Sequence, residues 1–350
     1  MKILIVKLAD LGDLLISEPA IRSLRRAFPE AQIDLLTTPH AAPLAELMGQ
    51  GVRPLAFDKR AFDRPGIDSA RSTAALGRLG WTLASAGYDR VALLHHLTTR
   101  WGAAKFRALV AATRAPLVAG LDNGRGDFLT HPVVDRGFGA VHEAEYMLRV
   151  AVAAGGARVD PYPIIQPDPA MIPPSLPERF IAIAPKAGAY SAAREWPLER
   201  FVALARELTG DGHHIAIVGG GDACDAGEQL ARELPAGLAT NLAGRTSLAE
   251  TAATLARARL LVGNDSFPGH LAAAVGTPVV SIFGPSNHRA WRPFVSPNVP
   301  AQVARAGLPC SPCLYTGHRL GRREGCPLLT CLHLVEPGDV RRAIAELLSA

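Results

Sequence analysis

Short apolar runs recur along the chain, each closed by a Gly/Asp-rich turn and followed by an amphipathic stretch. The runs predict strands at Ile3–Leu8, Gln32–Thr37, Arg90–His95, Phe180–Ala184, His214–Val218, Leu260–Val262 and Val279–Phe283. Several are unbroken β-branched or aliphatic segments, as strands covered on both faces should be. Apolar positions at helical spacing predict helices at Ala20–Phe28, Leu198–Leu208, Asp225–Leu234 and Leu248–Ala256. Such alternation implies α/β architecture with parallel sheets made of βαβ units. The stretch from Asp160 to Pro177 is the most proline-dense of the chain. Proline removes amide donors and steers its neighbours away from helix, so this stretch reads as a connection between two αβ halves. The expected division is residues 1–165, a linker at 166–178, and residues 179–350. Two such Rossmann-like domains facing each other would leave a cleft at the carboxyl ends of their strands, where ligands of this architecture bind.

Composition narrows the picture. Of 350 residues, 48% are hydrophobic and 20% charged, enough to fill sizeable cores, so global disorder is excluded. Basic side chains number 37 against 32 acidic, a net charge of +5 that suits anionic small molecules or a membrane surface. No basic run is interleaved with aromatics, so no nucleic acid partner is expected. No stretch reaches the roughly 18 apolar residues of a membrane span. The first apolar run ends at Lys7, shorter than the roughly 7–15 residues of a secretory signal. A cytoplasmic protein is expected, with peripheral contact at the inner membrane face as an option.

Chemistry gathers at the turns that follow strands. In Val6-Lys7-Leu8-Ala9-Asp10-Leu11-Gly12-Asp13, Gly12 is expected to allow a tight turn, with Asp13 near a helix start. Asp13 then either caps that helix or takes a proton from a substrate hydroxyl. Lys7 either steers an anionic acceptor or is a solvated residue at a strand end. In the second half, Lys186 and Arg194 bracket the loop after Phe180–Ala184, where charge and amides could hold a phosphate. Arg194 could equally pair with a surface carboxylate. Gly219-Gly220-Gly221-Asp222 lacks the third glycine of a dinucleotide fingerprint, because Cys224 stands there. Asp222 is read as a helix cap or as a ribose ligand. Asn264-Asp265-Ser266-Phe267-Pro268-Gly269-His270 joins a strand to a small-residue helix expected to begin around His270. Asp265, Ser266, His270 and the helix-start amides could converge on a sugar diphosphate. Cys310, Cys313, Cys326 and Cys331 form two pairs in a loop spanning 310–331, a candidate structural knuckle for zinc or iron. A disulfide pair and four buried thiols are the alternatives.

Taken together, these motifs resemble the heptosyltransferases, glycosyltransferase family 9. The resemblance rests on Lys-Ile-Leu-Ile-Val-Lys … Leu-Gly-Asp near the start, and on Asn264-Asp265-Ser266 … His270 followed by Gly-Thr-Pro-Val-Val-Ser-Ile-Phe-Gly-Pro-Ser. It covers essentially the whole chain, including the late cysteines, through which some relatives bind iron. It implies a GT-B fold and an inverting transfer from a nucleotide sugar, typically ADP-heptose, to a lipopolysaccharide core or related glycan or glycolipid. No cofactor is required for that chemistry. By the same resemblance Asp13 matches the catalytic base; Gly12 and Lys7, beside it in the same joint, are read as acceptor-binding. Arg194 stands where the family has a basic phosphate ligand, and Asp265, Ser266 and His270 match sugar and diphosphate contacts. Two departures stand out: Phe267 replaces a glycine, and Arg194 replaces a lysine, exchanging a point charge for a planar fork. The loops Asp58–Ser72 and Leu121–His131 are expected to choose the acceptor. Two other readings are a nucleotide-sugar epimerase or reductase, which the incomplete glycine fingerprint disfavours, and a retired scaffold serving as an interaction protein.

Overall fold

The computed structural model describes residues 1–59, 69–188 and 190–349. The chain divides into two units. The first comprises Met1–Gly137 and Glu143–Pro161; the second comprises Phe138–His142 and Tyr162–Ala350.

The first unit carries strands β1 (Lys2–Lys7), β2 (Gln32–Thr37), β3 (Arg53–Ala56), β4 (Arg90–Leu93), β5 (Leu117–Asp122) and β6 (His131–Val134). They form one sheet in the order β3-β2-β1-β4-β5-β6, every pair parallel. Ile3, Leu4, Ile5 and Val6 of β1 are fully buried, which explains why the run is apolar without alternation. Helices α1 (Leu11–Ile16), α2 (Glu18–Ala27), α3 (Leu44–Leu47), α4 (Ser69–Ala86), α5 (Arg100–Thr113) and α6 (Glu143–Ala153) complete the unit.

Among the described residues its one buried acid in mid-strand, Asp34, is fully partnered. Arg53 grips both Asp34 oxygens at 2.9 and 2.7 Å, and the Tyr88 hydroxyl donates to Asp34 at 2.7 Å. Burial alone would raise the Asp34 pKa, but the bonds from Arg53 and Tyr88 outweigh it and hold it below the usual value. Tyr88→Phe is expected to cost about 1–3 kcal/mol, because a fully buried carboxylate loses a donor. Thermal melting checks this, and an unchanged midpoint contradicts it.

The second unit repeats the plan with β7 (Ile181–Ala184), β8 (Ile215–Ile217), β9 (Ala239–Asn241), β10 (Leu261–Asn264), β11 (Val279–Ile282) and β12 (Ala301–Ala304). The order β12-β11-β10-β7-β8-β9 is the same doubly wound arrangement, again all parallel. Its helices are α7 (Leu198–Gly210), α8 (Cys224–Arg232), α9 (Leu248–Arg257), α10 (Phe267–Ala274), α11 (His288–Trp291), α12 (Thr330–His333) and α13 (Pro337–Ser349). One core joins Ile181, Ile183, Val262 and Ile282 of the strands to Phe201 and Leu204 of α7 and to Val340 and Ile344 of α13. The proline-dense stretch enters this unit at Tyr162. There the Ile165 amide donates to the Ala274 carbonyl, and a short 3-10 turn, Pro169–Met171, precedes β7.

In each sheet the strand order reverses beside its first strand, between β1 and β4 and between β7 and β10. Ligands of open α/β sheets bind at such points. Among the described residues, no helix is long and apolar enough to cross a membrane.

Candidate functional site

At the reversal point of the first unit, β1 delivers Lys7, Leu8 and the turn into α1. Two bonds fix that turn. The Leu8 amide donates to His95 Nε2 at 2.8 Å, and the Thr38 hydroxyl donates to the Ala9 carbonyl at 3.0 Å. His95 can accept only while that nitrogen is unprotonated. Burial, helped by the Lys7 charge, pushes its pKa well below the ordinary value and keeps it neutral. Two sequence expectations change here. Gly12 lies inside α1 rather than in a turn, and the capping position belongs to Asp10, so Asp13 sits in the first helical turn rather than at the cap. Being acidic there, Asp13 is favoured by the positive end of the helix. Lys7 is not solvated: it is 6% exposed, with Nζ 3.8 Å from the Met147 sulfur.

Next to it lies a cluster that the sequence reading missed. His96 Nδ1 is 2.9 Å from Asp135, and Nε2 is 3.1 Å from Glu143. All three side chains are at most 6% exposed. Burial alone would lower the His96 pKa, but the charges and hydrogen bonds of Glu143 and Asp135 outweigh it and carry it up to about 9. His96 is therefore a cation at neutral pH. Asp135 also accepts from the Asn123 amide and the Gly137 N–H. In the Leu121–His131 loop, Asp122 accepts three backbone N–H bonds, from Gly124, Arg125 and Gly126. Most of the other expected acceptor loop, Asp58–Ser72, lies outside the described residues.

In the second unit, Asn264 ends β10 and braces the loop after β7 at both ends. Its Oδ1 accepts from the Trp196 amide at 2.9 Å, and its Nδ2 donates to the Pro185 carbonyl at 2.8 Å. Arg194, carried on that loop, is 15% exposed and 3.6 Å from the Asp265 carboxylate. Its Nη1 donates to the Asp265 carbonyl and its Nη2 to the Ala187 carbonyl. Among the described residues its buried Nε has no hydrogen-bond partner, nor has the buried Ser286 hydroxyl in the turn after β11. The surface-pairing reading of Arg194 is thus corrected: it is an inward-held guanidinium beside Asp265. Lys186 pairs with Glu195 at 2.5 Å.

Helix α10 begins at Phe267, three residues earlier than expected, with Ser266 at its N-cap and Pro268 in the first turn. Ser266 donates its hydroxyl to the Asn264 carbonyl instead of accepting from the first amides. His270 is a buried residue within the helix. Phe267 does not adopt a positive φ, so no glycine conformation is lost there. Lys186, Arg194, Asp265, Ser266 and His270 thus lie on the loop and helix that follow β7 and β10. Asp222 falls apart from this reading. It is exposed, and neither the 3-10 turn Gly221–Ala223 nor α8 has a side-chain cap, so its capping role is corrected.

The cysteine loop packs beside these elements. The Ser191 hydroxyl donates to the Arg323 carbonyl, and the Cys313 and Leu314 amides donate to Pro285. All four cysteines are free thiols; Cys310, Cys313 and Cys326 are exposed and Cys331 is buried. Burial, and after it the neighbouring thiols, push the Cys313 and Cys331 thiols up from their ordinary value. Among the described residues no three His, Cys, Asp or Glu are gathered to ligate a metal ion. The side chains as arranged do not fit a bound zinc or iron.

The family model described as Glycosyltransferase family 9 (heptosyltransferase) matches residues 147–322, half of the chain. The protein belongs to this family. It is therefore a glycosyltransferase, and its two Rossmann-like sheets are those of the GT-B fold. Over 302 residues it is 26% identical to lipopolysaccharide heptosyltransferase 3 of Escherichia coli, covering 81% of this chain and 83% of that protein. Its fold is similar to that of E. coli ADP-heptose lipopolysaccharide heptosyltransferase II, with TM-score 0.70, 22% identity and coverage of 99% and 98% of the two chains. It is also similar in fold to E. coli heptosyltransferase WaaC solved with ADP, with TM-score 0.72, 20% identity and 99% of each chain covered. As a family 9 glycosyltransferase the chain is set apart from the reductase and epimerase alternative.

Proposed function

We propose that this glycosyltransferase moves a heptose from ADP-heptose onto a lipopolysaccharide core or a related glycolipid, in one inverting displacement with Asp13 as general base. The enzyme then works in the cytoplasm and touches the inner membrane peripherally to reach its acceptor. The observation that carries the reading is the surroundings of Arg194. A guanidinium only 15% exposed, its buried Nε unsatisfied among the described residues, stands at the head of α10, beside Asp265 and Ser266, and such a place calls for an anion. A diphosphate there accepts from Arg194, from Lys186 and from the Ser266 hydroxyl, while Asp265 and His270 serve the sugar and phosphate oxygens. As the anomeric bond breaks, charge accumulates on the leaving diphosphate and these donors stabilise it. Asp13 removes the proton of the attacking acceptor hydroxyl, with Lys7 and Gly12 on the acceptor side. No step is routed through a metal.

The test is calorimetric titration with ADP. Arg194→Ala is expected to weaken binding about 10- to 100-fold, as the loss of charge-assisted hydrogen bonds does, with Arg194→Lys intermediate. An unchanged Kd for Arg194→Ala removes it from the phosphate site.

A further inference from the structure

Helices α4 and α5 pack against each other and cover the same face of the first sheet. Leu83, Ala103, Leu109 and Val110 are buried beneath them, with Leu76, Leu79 and Phe106 packed on the same core. Their outward positions are unusual. Trp81 of α4 is 74% exposed and Trp101 of α5 is 65% exposed. A tryptophan offers about 150–250 Å² of largely apolar surface, and leaving two in water forgoes that burial. Around them the exposed positions are small: Gly77 and Ala84 on α4, and Ala104, Ala108 and Ala111 on α5. Neither helix contains an Asp or Glu along its whole length, whereas both carry cations: Arg71 and Arg78 on α4, and Arg100, Lys105 and Arg107 on α5. Lys105 Nζ lies 5.8 Å from the centre of the Trp101 ring, so a cation adjoins an indole. Arg107 is matched by Asp127 from the loop before β6, whereas Arg78 and Arg100 pair with no carboxylate among the described residues and set the sign of the face.

We infer that this face of α4 and α5 docks the first unit onto an anionic phospholipid surface. The inference rests on the peripheral membrane contact proposed above and names the surface that makes it. Indoles favour the boundary between headgroups and acyl chains, and neighbouring Lys and Arg side chains reach phosphate while their stems stay apolar. Both helices return along the sheet in the same direction, so they lie side by side. Trp101 stands in the first turn of α5, whereas Trp81 stands two-thirds of the way along α4. Two separated anchors hold the line between them against the surface, which a single cluster would not. Trp101 also sits just after the end of β4, at the sheet edge that carries Lys7 and Asp13, so docking holds that edge beside the lipid that bears an acceptor. A second copy of the chain is the weaker occupant. A two-fold contact sets Arg78 and Arg100 against themselves, and neither helix has a carboxylate to offset them.

The experiment is flotation of the full-length protein with vesicles of phosphatidylcholine, with or without phosphatidylglycerol, in the absence of any nucleotide sugar. Binding is expected only with phosphatidylglycerol and is expected to fall steeply with salt. The pair Trp81→Ala and Trp101→Ala should lower partitioning at least about tenfold, as removal of two interfacial anchors requires. Replacing Arg78 and Arg100 by Gln, which leaves the indoles in place, should lower it about fivefold per charge. Both variants should bind ADP as the parent does, which confirms folding. Failure to float, or equal flotation of parent and variants, overturns the inference. So does a dimer in sedimentation velocity that the tryptophan pair dissociates, since the face would then belong to a second copy. Because no sugar nucleotide is present, flotation is read independently of whether heptose is the transferred sugar.

Discussion

Asp13→Asn is expected to lower turnover about 10²–10⁴-fold, the usual range for loss of a general base, while ADP affinity stays at the parental value. The two readouts separate because they draw on different units. Asp13 belongs to α1 in the first unit, whereas Arg194, Asp265 and Ser266 belong to the second. Asparagine has the size of aspartate and keeps a hydrogen-bonding end, so it preserves the helix turn but cannot accept a proton at neutral pH. The turn has little freedom to compensate, since the His95 and Thr38 bonds hold Leu8 and Ala9. For the same reason His95→Leu should lower kcat by loosening the turn, and without shifting ADP binding. An Asp13→Asn enzyme with near-parental turnover removes Asp13 from the chemistry. Loss of ADP affinity in that variant would show that Asp13 serves the donor instead.

Replacing His96 by Leu is expected to destabilise the first unit by about 3–5 kcal/mol, the cost of leaving a buried charge without its partner. Here two carboxylates, Asp135 and Glu143, are left facing each other in a site where all three side chains are at most 6% exposed. The parent carries a matching pH signature. The His96 pKa is raised to about 9 in the fold, against 6.5 for an ordinary histidine. A raised folded value means that the stabilisation is fully present below about pH 6.5 and is lost as pH rises through about 9. The difference corresponds to about 3 kcal/mol. Thermal melting of the parent should therefore fall across that window, and His96→Gln should melt lower with that part of the slope removed. Parallel pH profiles for parent and variant contradict the buried ion cluster.

How much of this was legible in the chain depends on where the partners lie. The mostly buried strands announced themselves: β2, β4, β7, β8 and β11 fall within the apolar runs, and β1 and β10 overlap them. Those that escaped are mostly edge or penultimate strands with mixed patterns, such as β3 (Arg-Pro-Leu-Ala) and β9 (Ala-Thr-Asn). Strand β5 is interior but broken by Gly120, where a Cβ would come within 2.9 Å of the Leu129 side chain. Helix α10 was placed too late because Phe-Pro reads as a loop, although proline belongs in a first helical turn.

The placement of Asp265 and Ser266 was legible because they come soon after one predicted strand, and that of Arg194 because it lies in the loop after another. His96 was not. Its partners stand 39 and 47 residues away, and no local spacing connects them. Only the parallel order β1-β4-β5-β6 gathers them at one end of the sheet. Asn264 was seen as part of a motif, but its role in tying Pro185 to Trp196 is a tertiary fact. Capping was misjudged at Asp13 and Asp222 for one reason: an acid near a helix start satisfies the pattern whether it precedes the first turn or lies within it.

A direct displacement leaves its record in the product. When ADP-heptose and a truncated lipopolysaccharide core are incubated with the enzyme, the anomeric configuration of the new linkage can be read by nuclear magnetic resonance. With Asp13 as base and the diphosphate leaving from the opposite face, the linkage is predicted to be inverted relative to the donor. Retention of configuration would contradict the single-displacement chemistry and the role given to Asp13.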